Sequence, residues 1–487
     1  MTAAVSRPAP GWDFDVRDAA LTYVGASRID GPLVVVERVR EVGYDEVVEI
    51  GDGAGRTRVG RVLEVSRDQA VIQVLEGTAR LCNKTLRTRF LGESFRLPVS
   101  RSMLGRVFDG LGRAIDGGPA PLSEDRRDVN GLPVNPYARR YPREFIQTGL
   151  SSIDGMNALV RGQKLPIFSG NGLPHDRVAA QIVRQAKLLD ADSGFSIVFA
   201  AMGVKHDIAQ FFTRSFEQSG ALGRVAMFLS LADAPSVERL LTPRVALTLA
   251  EHLAFDCGQH VLVLLTDMTN YCESLREVGT ARGEIPGRKG YPGYLYSDLA
   301  AIYERAGRIE GSTGSITQIP VLTMPSDDIS HPVPDLTGYI TEGQIVFERD
   351  LSLRGMYPPI AGLPSLSRLM KDGVGEGFTR ADHPSLASQL FACYAYVKRV
   401  RSLADVIGEA ELGALDKLYL GFGEAFERRF IHQGEWEDRS IEQTLELGWD
   451  VLSLLPQEEL HRMTAAQIEA HYRRGVSTQA ESVAAGA

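Results

Sequence analysis

Short runs of β-branched and aliphatic residues, separated by turn signals, dominate the first part of the chain. Gly, Pro and Asp residues lie between runs at positions 33–36, 47–50, 62–65 and 70–74. Short strands at this even spacing predict a small antiparallel β-barrel, and one sheet of a larger domain is the alternative that the pattern leaves open. We place this predicted N-terminal domain at residues 20–97.

Continuous apolar runs replace this pattern in the middle of the chain. They lie at 165–168, 195–201, 225–231, 261–266 and 316–324, and helical periods at 178–189 and 245–255 lie between some of them. Runs without polar alternation, separated by helices, are typical of a parallel sheet covered on both faces. Such sheets bind ligands beyond the carboxyl ends of their strands. We therefore predict a central α/β domain over residues 98–380.

Apolar residues at helical spacing mark the last part of the chain. They occur at positions 412, 415, 418, 419, 422, 426 and 430, and the strand signals are gone. This pattern predicts a C-terminal helical bundle over residues 381–465. Residues 466–487 lack a core pattern and are predicted to be a flexible tail.

Composition and charge narrow the function classes. The chain has 487 residues, too many for one compact core, and 53 basic against 62 acidic residues give a net charge of −9. This balance argues against a broad nucleic-acid-binding surface. No apolar stretch approaches the length of a membrane span, and the amino terminus lacks the apolar core of a signal peptide. Four widely spaced cysteines suggest reduced thiols rather than a zinc site, so we expect a cytoplasmic protein.

The segment 165–176 has the order of a phosphate-binding loop: an apolar strand, a glycine-containing turn and an amphipathic helix. A working loop reads GxxxxGK[ST], in which the lysine neutralises phosphate and the hydroxyl holds magnesium. Here Pro174 offers no backbone N–H, His175 is mostly neutral at pH 7, and Asp176 is negative. The candidate degenerate loop comprises Ser169, Gly170, Asn171, Gly172, Leu173, Pro174, His175 and Asp176. Taken alone, these residues also fit a helix-capping turn that is unrelated to phosphate.

Longer motifs show that the chain resembles the B subunits of the V/A-type rotary ATPases. The resemblance is carried by VRGQKLPIFSGNGLPHD (160–176), VFAAMGVKHD (198–207), LLTDMTNYCESLRE (264–277), RGEIPGRKGYPGYLYSDLAAIYERAGR (282–308), GSITQIPVLTMPSDDISHPVPDLTGYITEGQI (314–345) and YPPIAGLPSLSRLMKDGVGEG (357–377). It extends over about residues 20–455. It implies an N-terminal β-barrel, a central nucleotide-binding domain of the P-loop NTPase, RecA-like type, and a C-terminal helical bundle, in agreement with the three regions above.

The resemblance also implies a function. In this family three catalytic A subunits and three B subunits alternate in a ring that couples ATP synthesis or hydrolysis to proton or sodium transport. The chain is then expected to be the non-catalytic, regulatory B subunit, at the cytoplasmic face of a membrane. Its expected partners are the A subunit, the central and peripheral stalks and, indirectly, the membrane sector, with no nucleic acid. It is expected to have no cofactor of its own, with ATP or ADP and magnesium at the shared A–B interface.

Three residues acquire expected roles from the resemblance. Val204 follows Gly203 where catalytic subunits carry the glutamate that polarises the attacking water, and valine cannot do this. Arg368, in LPSLSRL (363–369), resembles the arginine finger that reaches the nucleotide of the neighbouring A subunit; an intrachain salt bridge is the alternative. Asp267 resembles an acidic residue that helps to hold magnesium, and a structural role in helix capping or loop hydrogen bonding is the alternative interpretation.

Two other functions remain as alternatives. An independent P-loop-type ATPase would need the lysine, hydroxyl and glutamate that the chain has lost. A ring-shaped nucleic-acid translocase would need an intact loop and a basic, aromatic-rich face, and neither is evident in the sequence.

Overall fold

The structure, a computed structural model, describes residues 22–53, 55–123, 125–131, 133–189 and 194–473. These residues form two compact units. The first contains the described residues up to Asn135 together with Ser196–Arg305, and the second contains Pro136–Phe195 and the described residues from Ala306 onward.

The described residues form strands throughout the first three quarters of the chain. The first eight are β1 (Thr22–Val24), β2 (Arg28–Asp30), β3 (Leu33–Glu37), β4 (Glu46–Gly51), β5 (Thr57–Ser66), β6 (Gln69–Val74), β7 (Arg87–Ser94) and β8 (Arg96–Val99). The next seven are β9 (Val107–Asp109), β10 (Asp125–Asp128), β11 (Arg139–Arg140), β12 (Phe145–Gln147), β13 (Leu159–Val160), β14 (Ile167–Gly170) and β15 (Lys187–Leu188). The last seven are β16 (Phe195–Val204), β17 (Val225–Leu231), β18 (His260–Thr266), β19 (Gly307–Ile309), β20 (Ser315–Met324), β21 (Gly343–Val346) and β22 (Leu366–Ser367).

Among the described residues the first of the α-helices begins at Ser151. They are α1 (Ser151–Asp154), α2 (His175–Gln185), α3 (His206–Gln218), α4 (Ser236–Glu251), α5 (Met268–Ala281), α6 (Leu295–Tyr303), α7 (Pro332–Ile340), α8 (Arg349–Leu353), α9 (Met370–Gly373), α10 (His383–Ile407), α11 (Ala414–Ala425), α12 (Ile441–Leu452) and α13 (Ala465–His471). Two π-helical turns, His252–Asp256 and Phe426–Ile431, continue α4 and α11. None of the described helices is both long and apolar enough to cross a membrane.

The first unit begins with a curled antiparallel sheet in the strand order β1-β7-β4-β5-β6-β3-β2. The four runs predicted as strands lie in β3, β4, β5 and β6, so this prediction is confirmed. Their β-branched side chains pack into a buried core because alternate residues of a strand point to the same face. This core includes Val34, Val48, Ile50, Val62 and Ile72.

The rest of the first unit is α/β. Strands β18, β16, β17 and β9 lie side by side in that order, and β16–β17 and β17–β9 pair in parallel. Three of the predicted apolar runs correspond to β16, β17 and β18, which confirms them. The predicted helical period 245–255 is the second half of α4 and the π-helical turn that follows it.

The second unit contains the strand that leads to the predicted phosphate loop. Strand β14 pairs in parallel with β20 on one side and with β21 on the other, and the short edge strand β22 pairs antiparallel with β21. The sequence placed β14 at 165–168, but it begins at Ile167. Pro166 has no N–H to donate to a ladder, which accounts for the later start. Helix α2 also ends before the predicted residue 189, because Lys187–Leu188 pairs with β12.

Helices α10 to α13 form the C-terminal part of the second unit, as predicted. Their shared core contains Tyr394, Phe422, Phe426, Phe430 and Trp449, with the rings of Phe426 and Phe430 stacked at 5.2 Å. In the segment predicted as a flexible tail, residues up to 471 belong to α13. Residues 474–487 lie outside the described residues.

Candidate functional site

The predicted phosphate loop has the predicted order of elements. Strand β14 ends at Gly170, a tight turn follows, and α2 begins at His175. In the turn the N–H of Leu173 donates to the carbonyl of Gly170 at 3.1 Å, and Gly172 adopts a left-handed φ of 79° that favours glycine. Pro174 occupies the N-cap position of α2 and makes no side-chain capping bond. The backbone path is therefore that of a strand–turn–helix loop.

The side chains of the loop bond to one another. Ser169 is fully buried, and its Oγ shares a hydrogen bond of 3.1 Å with Nδ1 of His175. The other ring nitrogen of His175 lies 3.7 Å from the carboxylate of Asp176. The residue in the position of the loop lysine is thus turned toward the loop's own hydroxyl and carboxylate. It does not supply a free cation.

A bidentate ion pair lies against the loop. Arg349, at the start of α8, donates from Nε to Asp327 Oδ2 at 2.6 Å and from Nη2 to Asp327 Oδ1 at 2.9 Å. The same Nη2 donates to the carbonyl of Asn171 at 3.0 Å. A Cβ atom at Gly170 would overlap the Asp327 carboxylate, so this carboxylate lies directly against the end of β14. The hydrogen bonds from Arg349 hold the pKa of Asp327 below its usual value, so the pair is charged at neutral pH.

These observations test whether the loop fits a nucleotide phosphate. Pro174 lacks an N–H, His175 is engaged with Ser169, and no lysine is present. Asp327 lies at the end of β14, where a phosphate-binding loop needs positive charge or N–H donors, and its carboxylate neutralises the neighbouring cation Arg349. The residues of this loop do not fit a phosphate group. Among the described residues, no cluster of three His, Cys, Asp or Glu side chains is arranged to hold a metal ion.

The sequence pattern did not reveal Asp327 and Arg349 as loop residues. Asp327 lies inside one of the motifs that carry the family resemblance, but nothing in its spacing points to the loop. Arg349 is 22 residues from Asp327 and 178 from Asn171, so their contact arises from the fold. A basic residue just after the neighbouring strand β21 was the one available signal.

Val204 and Asp267 belong to the first unit, whereas the loop and Arg368 belong to the second. Val204 is the last residue of β16 and is buried, and its carbonyl accepts from the N–H of Ala232 at 2.8 Å. Asp267 caps α5, because its Oδ1 accepts from the N–H of Thr269 at 2.8 Å. The capping alternative for Asp267 is therefore confirmed.

Arg368 lies immediately after the edge strand β22 and is exposed. Its backbone N–H donates to the carbonyl of Glu342 at 2.9 Å, and its Nη1 donates to the carbonyl of Thr341 at 3.3 Å. Thr341 is the C-cap residue of α7, and a cation is favoured at this end of a helix. Arg368 forms no ion pair with any residue that the structure describes. The structure therefore gives no support among these residues to the alternative that Arg368 forms an intrachain salt bridge.

The guanidinium of Arg368 borders an open cavity of about 370 Å³. Other residues around it are Phe168 from β14, Asp335 and Tyr339 from α7, and Gln344 from β21. Tyr339 is 75% exposed, so its ring is accessible to a partner. The site therefore presents a cation with free N–H donors beside an accessible aromatic ring.

Comparison with known protein families places this geometry in a class. Residues 26–85 match the beta-barrel domain of the ATP synthase alpha/beta family, and residues 149–367 match the nucleotide-binding domain of the same family. Residues 372–472 match the C-terminal domain of V and A type ATP synthases. The three matches follow the order of the sheet, the α/β core and the helical bundle, so the predicted three-part fold class is confirmed.

Individual relatives narrow the class further. The chain is 62% identical to V-type ATP synthase beta chain 2 of Treponema pallidum over 95% of its own length and 96% of the relative's. It is 60% identical to the V-type ATP synthase beta chain of Halothermothrix orenii, over 93% of its own length and 98% of the relative's. A solved structure, that of a unique ATP synthase subunit NeqB from Nanoarcheaum equitans, has a TM-score of 0.70 and 43% identity, and covers 87% of this chain and 100% of that one. The chain belongs to the family of V-type ATP synthase beta chains, the B subunits of the V/A-type rotary ATPases.

Proposed function

We propose that the chain acts as the non-catalytic B subunit of a ring in which it alternates with catalytic A subunits, and that Arg368 completes the catalytic site of its neighbour. The observation that carries this proposal is the state of Arg368. The residue is exposed, its guanidinium donates to the carbonyl of Thr341, and it has no carboxylate partner among the described residues. Its charge is therefore available to a group on a neighbouring chain.

The chemistry of Arg368 suits the proposed role. A guanidinium has five N–H donors and stays charged at any physiological pH. One N–H is used on the carbonyl of Thr341, and the others can bond two oxygens of a phosphoryl group. Positive charge placed there stabilises the charge that spreads over the phosphoryl oxygens in the transition state.

The chain's own loop supports the same division of labour. Its phosphate position is bordered by the Asp327–Arg349 pair, and the loop offers neither lysine nor a hydroxyl for magnesium. ATP or ADP with magnesium is therefore assigned to the interface with the A subunit, which would supply the phosphate loop and the water-activating carboxylate. Val204 has no group that can orient water.

The remaining parts of the proposal concern the assembly. The central and peripheral stalks and a membrane sector that moves protons or sodium ions are the proposed further partners, with the ring at the cytoplasmic face. The three predicted domains keep their boundaries near residues 97, 380 and 465 in this proposal.

The test is the ATPase rate of a ring reconstituted from this chain and catalytic A subunits. Arg368→Ala should lower turnover by about 10³–10⁵, the range of arginine fingers, which corresponds to about 4–7 kcal/mol of transition-state stabilisation. Arg368→Lys should restore little, because one ammonium cannot make two parallel bonds to phosphate.

Arg399→Ala is the matched control, since Arg399 is an exposed arginine on α10. It should leave turnover unchanged, and sizing should show that every ring has assembled. If an intact Arg368→Ala ring kept more than about a tenth of the wild-type rate, a loss far below the finger range, the proposed role of Arg368 would be wrong.

A further inference from the structure

Arg368 depends on two main-chain oxygens for its position. Its backbone N–H bonds to the carbonyl of Glu342, and its guanidinium bonds to the carbonyl of Thr341. These two residues form the turn between α7 and β21. Any displacement of this turn would therefore displace the guanidinium as well.

The turn is held by Lys164, which lies just before β14. Its Nζ is 2.9 Å from Glu342 Oε1, and its backbone N–H donates to Glu342 Oε2 at 2.8 Å. In return, the N–H of Glu342 donates to the carbonyl of Lys164 at 3.1 Å. The Lys164 side chain is 3% exposed, so removing the Glu342 carboxylate would leave the buried ammonium without its partner. Three bonds thus fix Glu342 to Lys164.

The neighbouring Gln163 bonds to the turn at Glu342 and to Ser367, the residue before Arg368. Its Nε2 donates to the carbonyl of Glu342 at 3.3 Å and to Oγ of Ser367 at 2.9 Å. The Ser367 hydroxyl in turn donates to the carbonyl of Ala158 at 2.9 Å. Gln163 is fully buried, and its own oxygen accepts from the N–H of Val160 at 3.0 Å. The side-chain amide of Gln163 therefore bonds both to Ser367, which precedes Arg368, and to Glu342, whose carbonyl accepts from the backbone N–H of Arg368.

We propose that Gln163 and Lys164 are positioning residues for Arg368. The inference rests on the proposed function and adds to it the residues that set the geometry of the guanidinium. Neither side chain is exposed, so both act through Glu342 and Ser367. The segment that enters β14 thus supports the arginine at the far edge of the sheet, while the loop at the end of β14 no longer fits phosphate.

The catalytic rate is expected to be sensitive to small displacements of the Arg368 guanidinium. A displacement of about 1 Å at a catalytic group can cost about 10²-fold in rate. An arginine finger acts mainly on the transition state, so loss of its position lowers kcat and leaves the KM for Mg-ATP nearly unchanged.

The experiment is a double-mutant cycle on the reconstituted ring. Lys164→Met should lower kcat by about 10- to 100-fold with KM for Mg-ATP within about twofold of the wild-type value. Lys398→Met is the control, because Lys398 forms a Lys–Glu pair with Glu348 at 3.1 Å in the same unit and does not contact Arg368. It should leave kcat unchanged.

The second arm adds Lys164→Met to Arg368→Ala. If Lys164 acts through Arg368, the double variant should turn over as slowly as Arg368→Ala alone. An equal further loss in both backgrounds would identify a general structural effect and overturn the positioning role. A wild-type rate for Lys164→Met beside a strong loss for Arg368→Ala would overturn the positioning role and leave the proposed function intact. A wild-type rate for Arg368→Ala itself would overturn both.

Ser367→Ala decides the matter if rings containing Lys164→Met do not assemble. It removes the hydroxyl that links Gln163 to the residue before Arg368 and leaves the buried charges in place. We expect a loss in kcat of about 3- to 10-fold, the cost of about one hydrogen bond, and recovery with Ser367→Thr, which restores the hydroxyl. Full turnover by an assembled Ser367→Ala ring would overturn the proposal.

Discussion

Glu427 is a buried carboxylate on which the C-terminal helices depend, and its neutralisation should destabilise them by a predictable amount. Its side chain is 2% exposed. Arg354 and Arg401 each donate to it at 2.6 Å, and the Tyr394 hydroxyl donates at 2.8 Å. Burial alone would raise the pKa of Glu427, but the bonds from Arg401, Arg354 and Tyr394 outweigh it and lower the pKa to about 2. The folded protein therefore strongly favours the ionised carboxylate of Glu427 over the protonated form.

The magnitude follows from this shift. A pKa lowered from 4.5 to about 2 corresponds to about 3 kcal/mol of stability at neutral pH. Because the folded pKa is the lower one, this contribution is present above pH 4.5 and is lost as the pH falls from 4.5 toward 2. Glu427→Gln should remove it at pH 7, since the amide is neutral and leaves two guanidinium groups without their counter-ion.

Urea unfolding of the chain, followed by tryptophan fluorescence, measures this loss. Trp449 is buried in the same helical core and reports on it. With a slope of about 2 kcal/mol per molar urea, the midpoint of this transition should fall by about 1.5 M. Glu424→Gln is the control, because Glu424 is exposed on the preceding helix and should give no measurable shift. A shift below about 0.3 M for Glu427→Gln at pH 7, or a difference from the wild type that persists unchanged at pH 2–3, would refute the reasoning.

The other predictions concern His383 and the degenerate loop. His383 is fully buried between Gly155 and Thr379. Burial lowers its pKa to about 4, against weaker opposing effects of its bond to the Gly155 backbone and of Asp382. It therefore contributes stability above pH 6.5 that is lost as the pH falls toward 4. His383→Gln should flatten the pH dependence of the urea midpoint between pH 6.5 and 4, and an unchanged slope would contradict this cause. The isolated chain should show no Mg-ATP turnover, and neither should the variant Pro174→Gly, His175→Lys, Asp176→Thr, because Val204 cannot orient water. Calorimetry should detect ATP binding to this triple variant most strongly once Asp327→Ala is added. Turnover by the triple variant at a rate typical of catalytic subunits would show that the role given to Val204 is wrong.

Local patterns predicted the elements well where neighbouring residues decide the outcome. Strand β17 coincides with its predicted run at 225–231, and β18 begins one residue before its predicted start. The limits of β14 differ because Pro166 removes a donor from the ladder, and those of α2 differ because Lys187 pairs with a distant strand. The two π-helical turns had no signal in the sequence, since such turns depend on how the helix packs.

The candidate site was predictable only in part. The missing lysine and hydroxyl of the loop are plain in the sequence, because they are departures from a local motif. The contacts of Asp327 with Arg349, and of Lys164 with Glu342, join segments that are far apart in the chain. They exist because β14 lies beside β21 in the sheet, and strand order is a property of the fold that local spacing does not encode.

The way in which Arg368 is anchored has a consequence for comparisons among relatives. Both of its hydrogen bonds within the described structure are to backbone carbonyls, which every residue type carries. Substitution at position 341 or 342 therefore removes neither acceptor, and no complementary side chain has to change together with the arginine. Pairwise covariation should accordingly be silent at position 368 with respect to its anchors. Covariation is expected instead between positions 164 and 342, because the ion pair between their side chains holds the acceptor carbonyls in place.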